Sequence, residues 1–510
     1  MTRTRMDIWT RTDDEGTWPE VLVAYARAVE TMRALDPPTG PPTDPLSWQF
    51  QAAMHGRATE TGSADRSHPL WSRCQHGSWF FLPWHRMYLA AFEAVVQHHL
   101  GDDQWSLPYW YALDPDRPTA AVLPPAFREA RADNALFTDQ RSVLANGGDP
   151  LPDVSDSVTQ ALGVDVFATD TGVASFGGGE RSQPSFFGEE MGAIEDTPHG
   201  FVHVVVGNDF DDQGNTVREG WMGSFFTAGL DPLFWLHHAN LDRLWQVWLD
   251  ANPAHRNPPD DDPAWFRTRF RFPKPGGGTR TFRVGDVLDT TALGYTYESV
   301  GVPSTFLPAP APVPPGPPGA PEAPAGGGIE MGGVEEAPPP RPMATPQVVG
   351  ATQDVSLAQA APAVVELSEP SDLGLGDGEA GAGPTRVYLR LEGITGTAAA
   401  PAYEVYVNVP AGDRGGEHPE LLAGRLATFG LAEASRADSE HGGSGLTKVF
   451  EITAVRDALA DRGRWDPSRV TVSFEPVLPV PSDTDALAQA STGMARAPDL
   501  RAARVVVLSA

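Results

Sequence analysis

Two groups of histidines are the residues of this chain best suited to chemistry. His199 and His203 form an HxxxH pair. At about 100° per residue, four helical steps bring the second imidazole to within about 40° of the first. Two neutral nitrogens then converge on one point, a geometry that suits copper or zinc. Further on, the segment 231–250 carries His237 and His238 side by side. Helical neighbours point about 100° apart, so one of them can join the same metal while the other supports or packs. The earlier group is His76 and His85, which flank GSWFFLPW, with His55 closing the preceding helical segment. Taken singly, each of these could be a core histidine bonded to a backbone carbonyl. Buried together, each needs a partner, and one shared metal serves three at once. His68, His98, His99, His255, His418 and His441 lack such a context and are read as surface or structural.

The elements that must position these histidines read as helices over 19–35, 44–56, 83–100 and 231–250. Asp44 and Asp231 are expected N-caps, each with proline in the first turn. The first 302 residues are therefore expected to be mainly α, a helical bundle with long loops. Composition changes near residue 303, where runs such as APAPVPPGPPGAPEAPAGGG begin. Prolines remove amide donors and glycines add chain entropy, so 303–384 is expected to be a linker, with the more apolar Val348–Leu367 able to pack along a surface. From 385 the pattern alternates with period two, in RVYLRLEGI, AYEVYVNVP, RVTVSFEPVL and ARVVVLSA. Such a pattern predicts an antiparallel β-sandwich.

Bulk composition narrows the partners. The chain has 510 residues, 41% of them hydrophobic, and a formal net charge of −30. A surface that acidic argues against nucleic acid. Cys74 is the single cysteine, which excludes an intramolecular disulfide. No apolar run has the length of a membrane span, and the first residues, MTRTRMDIWTRTDDEG, hold no signal-peptide core. The default expectation is a cytoplasmic location, although helper-assisted secretion would leave no trace in the chain. Oligomeric state is not legible.

The segment HGSWFFLPWHRMYLAAFE (76–93) resembles the first copper motif of tyrosinases, catechol oxidases and the related haemocyanins. PHGFVHVVVG (198–207) with MGSFFTAGLDPLFWLHHANLDRLWQVW (222–248) resembles the second. The resemblance implies two copper ions in a four-helix bundle, one held by His55, His76 and His85, the other by His199, His203 and His238. It also implies a thioether between Cys74 and His76, with a buried free thiol as the alternative. Glu195 matches a glutamate that positions a water, and Phe225 falls where plant-type enzymes carry a bulky gate. Gly200 stands where many monophenol-hydroxylating relatives have asparagine. The ligands suit copper because reducing dioxygen takes more than one electron and zinc has none to give; a zinc hydrolase on the same residues is the competing metal reading. Asp242, Arg243, Glu93 and Arg86 are read as ion-pair scaffolding, with Asp242 also able to bond a ligand ring.

The strands at 386–394 and 402–410 resemble the C-terminal β-domain of plant-type polyphenol oxidases, where a KFDVYVN-like strand recurs; Ala402, Tyr403 and Glu404 replace its first three residues. That resemblance implies a latent enzyme whose tail lies over the metal centre. A competing role for the tail is a folding or copper-loading chaperone in cis. The expected activity is oxidation of o-diphenols, with o-aminophenols and weak monophenol turnover alongside, by dioxygen on a small phenolic substrate. A full tyrosinase and a haemocyanin-like oxygen carrier are the alternatives.

Overall fold

Helical spacing in the first half of the chain becomes five helices around the histidines: α1 (Glu20–Ala34), α2 (Trp48–His55), α3 (Phe81–Leu100), α4 (Phe201–Gly207) and α5 (Pro232–Ala251). The computed structural model describes residues 2–12, 17–188, 190–259, 262–306, 345–358, 361–368, 385–438, 443–481 and 495–510. Asp231 caps α5 as expected, its side chain accepting from Leu233 N at 2.8 Å, with Pro232 in the first turn. Asp44 does not cap α2. It accepts instead from Leu46 N two residues on, and Ser47 caps the helix by accepting from Phe50 N at 3.3 Å. A short aspartate side chain closes a local turn as readily as it caps a helix, so the start moves to the next serine.

α3 and α5 carry apolar residues almost all round and are buried on nearly every side. Phe92 of α3 stacks on Trp235 of α5 at 3.4 Å and 11°. The same pair is tied by a buried ion pair, Arg86 with Asp242. Arg5 joins it from β1 (Arg3–Arg5), bonding Glu93 at 3.0 Å and Asp242 at 3.2 Å. The Tyr295 and Tyr297 hydroxyls donate to Asp242 as well. Burial alone would raise the Asp242 carboxyl, but Arg86 and Arg5 outweigh it and hold it below the usual range. Among the described residues, the partners of the Asp242 carboxylate are thus arginines and tyrosines, so it is scaffold rather than a brace for a histidine ring. Arg243, expected in an ion pair, donates instead to the Ser299 carbonyl and lies over the Tyr111 ring at 4.6 Å. β1 pairs in parallel with β4 (Tyr295–Tyr297), and a hairpin of β2 (Arg269–Pro273) and β3 (Thr279–Arg283) lies against α3.

The C-terminal half holds two four-stranded antiparallel sheets. One runs β6 (Ala363–Glu366), β11 (Arg469–Val477), β8 (Ala402–Val407), β9 (Leu422–Leu426). The other runs β10 (Leu446–Glu451), β7 (Val387–Thr395), β12 (Arg501–Ser509), β5 (Gln347–Ser356). The strands expected after 385 are all present. The stretch 303–384, expected as a linker in which only Val348–Leu367 could pack along a surface, contributes β5 and β6, an edge strand for each sheet. The apolar character of Val348–Leu367 prevails over the proline and glycine composition around it, because an open sheet edge offers unpaired amides and carbonyls to any extended segment. The rest of that expected linker lies largely outside the described residues. Among the described residues, no helix is long and apolar enough to cross a membrane.

Among the described residues, three ion pairs of one polarity tie the sheets to the helical half. Arg425 pairs with Asp156 at 2.5 Å, Arg386 with Asp165 at 2.6 Å and Lys448 with Asp196 at 2.8 Å. In each case the cation comes from the C-terminal region. Backbone bridges Glu190–Thr447 and Thr216–Arg496 add to the seam.

Candidate metal centre

His55 ends α2, His85 lies one turn into α3, and His76 stands in the loop between them. His199 lies in an irregular helical turn, Glu195–Gly200, that departs from helical geometry at Thr197 (φ −140, ψ 118) and leads into α4, which carries His203. All five are buried, as are His237 and His238 on α5. His55, His76 and His85 have ligand atoms within 4.8 Å of one another, and so do His199, His203 and His237. The groups face each other: the His85 and His238 rings stack at 4.4 Å and 10°, and His76 and His199 stack at 5.8 Å.

Four of these rings have their tautomer set by the backbone. The Nδ1 of His55 meets the Phe225 carbonyl at 3.0 Å, and that of His85 the Phe81 carbonyl at 2.9 Å. His199 Nδ1 meets the Glu195 carbonyl at 2.7 Å, and His203 Nδ1 the Met222 carbonyl at 2.8 Å. A carbonyl can only accept, so each Nδ1 carries the proton and each Nε2 presents a lone pair. The Nε2 atoms of His55, His85 and His199 are buried without a hydrogen-bond partner, and both ring nitrogens of His76 are too. Burial pushes His55 down to about 3, against the pull of the Phe225 carbonyl. Burial first, and the neighbouring imidazoles second, hold His76 and His238 well below the usual histidine range. Neutral, desolvated lone pairs aimed at common points are what a soft or borderline metal ion needs, so the donor set fits two such ions.

The LHH pair on α5 requires a choice. His237 meets the 4.8 Å distance with His199 and His203, but its Nε2 sits 3.3 Å from the His199 carbonyl, which it can serve only as a donor. His238 points its Nε2 at His203 Nε2, 3.4 Å away. Imidazole nitrogens on a first-row ion sit about 2.0–2.1 Å from it, which separates two of them by about 3.3 Å at a tetrahedral angle. The His203–His238 spacing matches that separation, whereas His237 is committed to the backbone.

Glu195 is buried, and both its oxygens accept from Gly77 N, at 2.8 and 3.0 Å. Burial pushes its carboxyl well above the usual range, the Gly77 amide pulling the other way. Phe225 lies against the His76 ring at 4.3 Å, tilted by 34°, while its carbonyl holds His55. Gly200 is in contact with the C-terminal region: a Cβ there would stand 2.9 Å from Ala427 Cβ. Cys74 is buried two residues before His76. Among the described remaining histidines, His255 stacks on Trp248 and none joins the cluster; His441 lies outside the described residues.

The C-terminal region also supplies a residue that local sequence reasoning misses. Phe429 stacks on the His203 ring at 4.0 Å and 9°, meets Phe225 edge-on at 4.4 Å and is 2% exposed. The turn that carries it is fixed on both sides. Ala427 N donates to Asp196, and Thr428 Oγ1 donates to the Ala400 carbonyl. Gly430 follows at φ +81, where a Cβ would also strike the Phe225 and Phe187 rings, so only glycine fits. Lys448 is missed for the same reason, since nothing near it in sequence signals a partner more than 250 positions earlier.

A family profile described as the common central domain of tyrosinase matches residues 45–160 and 149–251, and a domain of unknown function (DUF7868) matches 345–487. The chain is 30% identical to a tyrosinase, HcTyr1, of Hahella sp. (strain CCB-MM4), covering 95% of this chain and 97% of that one. It is also 30% identical to the chloroplastic polyphenol oxidase II of Ipomoea batatas, over 56% of this chain and 48% of that one. Among solved structures, latent apple tyrosinase superposes with a TM-score of 0.62 at 21% identity, covering 99% of this chain and 97% of that one. A latent aurone synthase does so with a TM-score of 0.59 at 20% identity, covering 99% and 90%. These two likenesses establish the fold.

Proposed function

We propose that this chain, which belongs to the tyrosinase family, oxidises o-diphenols to o-quinones and stays latent while its C-terminal region covers the metal centre. It is a type-3 copper oxidase of a family that uses dioxygen and phenolic substrates, and its two histidine triads fit two copper ions. The observation that carries the proposal is the facing pair of histidine groups, with unpartnered inward nitrogens, beneath the Phe429 ring. We assign His55, His76 and His85 to one ion and His199, His203 and His238 to the other, with His237 as a brace on the His199 carbonyl. The helices α2, α3, α4 and α5 then act as the four-helix bundle around the centre, and the two sheets as a sandwich over it.

Two copper ions held there supply the electron-transfer capacity that couples catechol oxidation to dioxygen. The residues of the chain do the rest. Glu195, anchored on Gly77 N–H, receives the proton of an incoming hydroxyl at a carboxyl oxygen or through one water. Phe225 packs against the substrate ring on the His76 side. Phe429 occupies the face of His203 on which a phenol would stack, so substrate enters only when the tail moves. Gly200 offers no side chain to hold a water beside Glu195, which supports o-diphenol or o-aminophenol oxidation over hydroxylation of monophenols. A Cys74–His76 thioether is supported by His76 itself, the one member of the first triad with no carbonyl holding its second nitrogen. A covalent bond to the ring would orient it instead.

The test is metal analysis together with turnover before and after limited proteolysis in the 307–344 stretch. Two coppers per chain are expected. Quinone formation from a catechol should rise sharply on cleavage, with a smaller rate on a monophenol. Equal catechol rates for intact and cleaved protein would remove latency from the proposal, and a copper-loaded, cleaved protein without catechol turnover would remove the activity.

A further inference from the structure

The hairpin of β2 and β3 carries a charge opposite to that of the chain. Residues 263–284 hold six cations, Arg267, Arg269, Arg271, Lys274, Arg280 and Arg283, and no acidic residue, in a chain with 67 acidic and 37 basic residues. Strand alternation sorts them. Phe270 and Phe272 are buried while Arg269 and Arg271 are exposed on the other face, about 6.8 Å apart. Phe272 packs on Trp84 at 5.6 Å and on Tyr88 at 6.1 Å, which seats the hairpin on α3. Arg280 lies over the Phe282 ring at 4.2 Å, and Arg283 bonds Asp286 at 2.6 Å. Arg269 and Arg271 have no ion-pair or hydrogen-bond partner among the described residues.

The register of the hairpin sets like charges against each other and leaves one edge open. Lys274 N donates to the Gly278 carbonyl and Val284 N to the Thr268 carbonyl, so hydrogen-bonded pairs alternate along the ladder between those two ends. Arg269 opposite Arg283, Arg271 opposite Thr281 and Pro273 opposite Thr279 then fall at the non-hydrogen-bonded positions, where side chains stand closest. Two arginines directly opposite destabilise a strand pair. At these same positions the backbone groups of β3 point away from β2. The amides and carbonyls of Thr279 and Thr281 therefore line an outer edge with which no other strand among the described residues pairs. Both threonines are exposed.

An unpaired edge can take an extended peptide as an added strand, and the side chains beside it select the sequence. Same-face residues of such a peptide repeat every ~6.8 Å, the spacing of Arg269 and Arg271. Thr279 and Thr281 are short, so the long arginine side chains reach over them. We propose that the β3 edge binds an extended segment of a partner protein that carries carboxylates at alternate positions. Its main chain pairs with Thr279 and Thr281, and its carboxylates meet the guanidinium groups of Arg269 and Arg271. A second copy of this hairpin is repelled by the same cations. A bilayer fits poorly, because none of the exposed large apolar residues described lies in the hairpin. A long polyphosphate would run onto the surface of a chain whose net charge is −30.

The experiment follows, by fluorescence anisotropy, the binding of a short labelled peptide of alternating threonine and glutamate to the intact chain. A peptide of the same composition with its glutamates in one block, phosphatidylserine vesicles and polyphosphate are the comparison probes. Saturable binding of the alternating peptide is expected, weakened by added salt and weakened about tenfold or more in Arg269→Gln/Arg271→Gln. Thr281→Pro removes one outward amide while leaving the ladder to β2 intact, and it should weaken the alternating peptide as well. Thermal midpoints close to that of the wild type check that both variants keep the hairpin. No binding by the wild type, or unchanged affinity in the double variant, overturns the site. Equal binding of the block peptide, or unchanged affinity in Thr281→Pro, overturns the added strand. Vesicles or polyphosphate binding as tightly as the alternating peptide overturns the assignment to a protein segment.

Discussion

Replacing Phe429 with alanine in the full chain tests the proposed latency at the side chain that carries it. Phe429 is 2% exposed, stacks on His203 at 4.0 Å and meets Phe225 edge-on at 4.4 Å. Truncating a buried phenylalanine costs about 3–5 kcal/mol. If that loss fell wholly on docking of the C-terminal region, the closed-to-open ratio would drop between about a hundredfold and a few thousandfold. The ion pairs at Asp156, Asp165 and Asp196 still hold the seam. The variant is therefore expected to stay largely docked but with a phenyl-sized opening over the histidines. The assay is the ratio of catechol oxidation rates after and before limited proteolysis, with copper content measured in both samples. The ratio should be large for the wild type and fall at least about tenfold in Phe429→Ala. The two cleaved proteins should have the same rate, because the changed residue has left with the tail. An unchanged ratio in a variant that holds both coppers refutes the reasoning, since the ring would then not be what excludes substrate.

Lys448→Met leaves the buried Asp196 carboxylate without its cation, a loss of about 3–5 kcal/mol in fully buried pairs. The intact chain should melt lower and turn over catechol faster, and Asp196→Asn/Lys448→Met should recover most of the midpoint. Cys74→Ala tests the crosslink by mass spectrometry of copper-loaded protein. The wild type should weigh less than its sequence by two hydrogen atoms, lost from the thiol and the ring carbon to dioxygen, and the variant should match its sequence. The Glu190 carboxyl, at the bridge to Thr447, is pushed from 4.5 up to about 7 by burial, with Arg390 pulling it down. A carboxyl raised in the folded state favours folding below its unfolded value, so that contribution is lost as pH climbs from about 4.5 to about 7, by at most about 3 kcal/mol. Glu190→Gln should flatten the fall in thermal midpoint across that window, and an identical pH profile would remove Glu190 as its source.

The features legible in the sequence were those whose cause is local. The four-residue spacing of His199 and His203 survives because the backbone from Gly200 through α4 is helical, and Asp231 with Pro232 marks the start of α5. The motifs around His76, His85 and the LHH pair were readable as a resemblance because they are long and ordered. Local signals failed where two local structures competed. Asp44 closed a turn instead of capping a helix, and Val348–Leu367 paired with open sheet edges despite the prolines around it.

By itself, the sequence determined that this chain would bring histidines together on helices and end in paired strands, because hydrophobic period and residue spacing act over a few residues. Residue spacing left open which neighbour of the LHH pair faces His203; the resemblance implied His238, and tertiary structure is what turns it there. Side chains on adjacent helical positions point about 100° apart, and the rotation of α5 is set by packing such as Trp235 on Phe92. It alone gave Asp242 to arginines and tyrosines from both ends of the catalytic half. It alone laid Phe429 on His203, across 226 positions of chain. Contacts of that reach depend on how two halves of the molecule dock, and no pattern within either half encodes the pairing on its own.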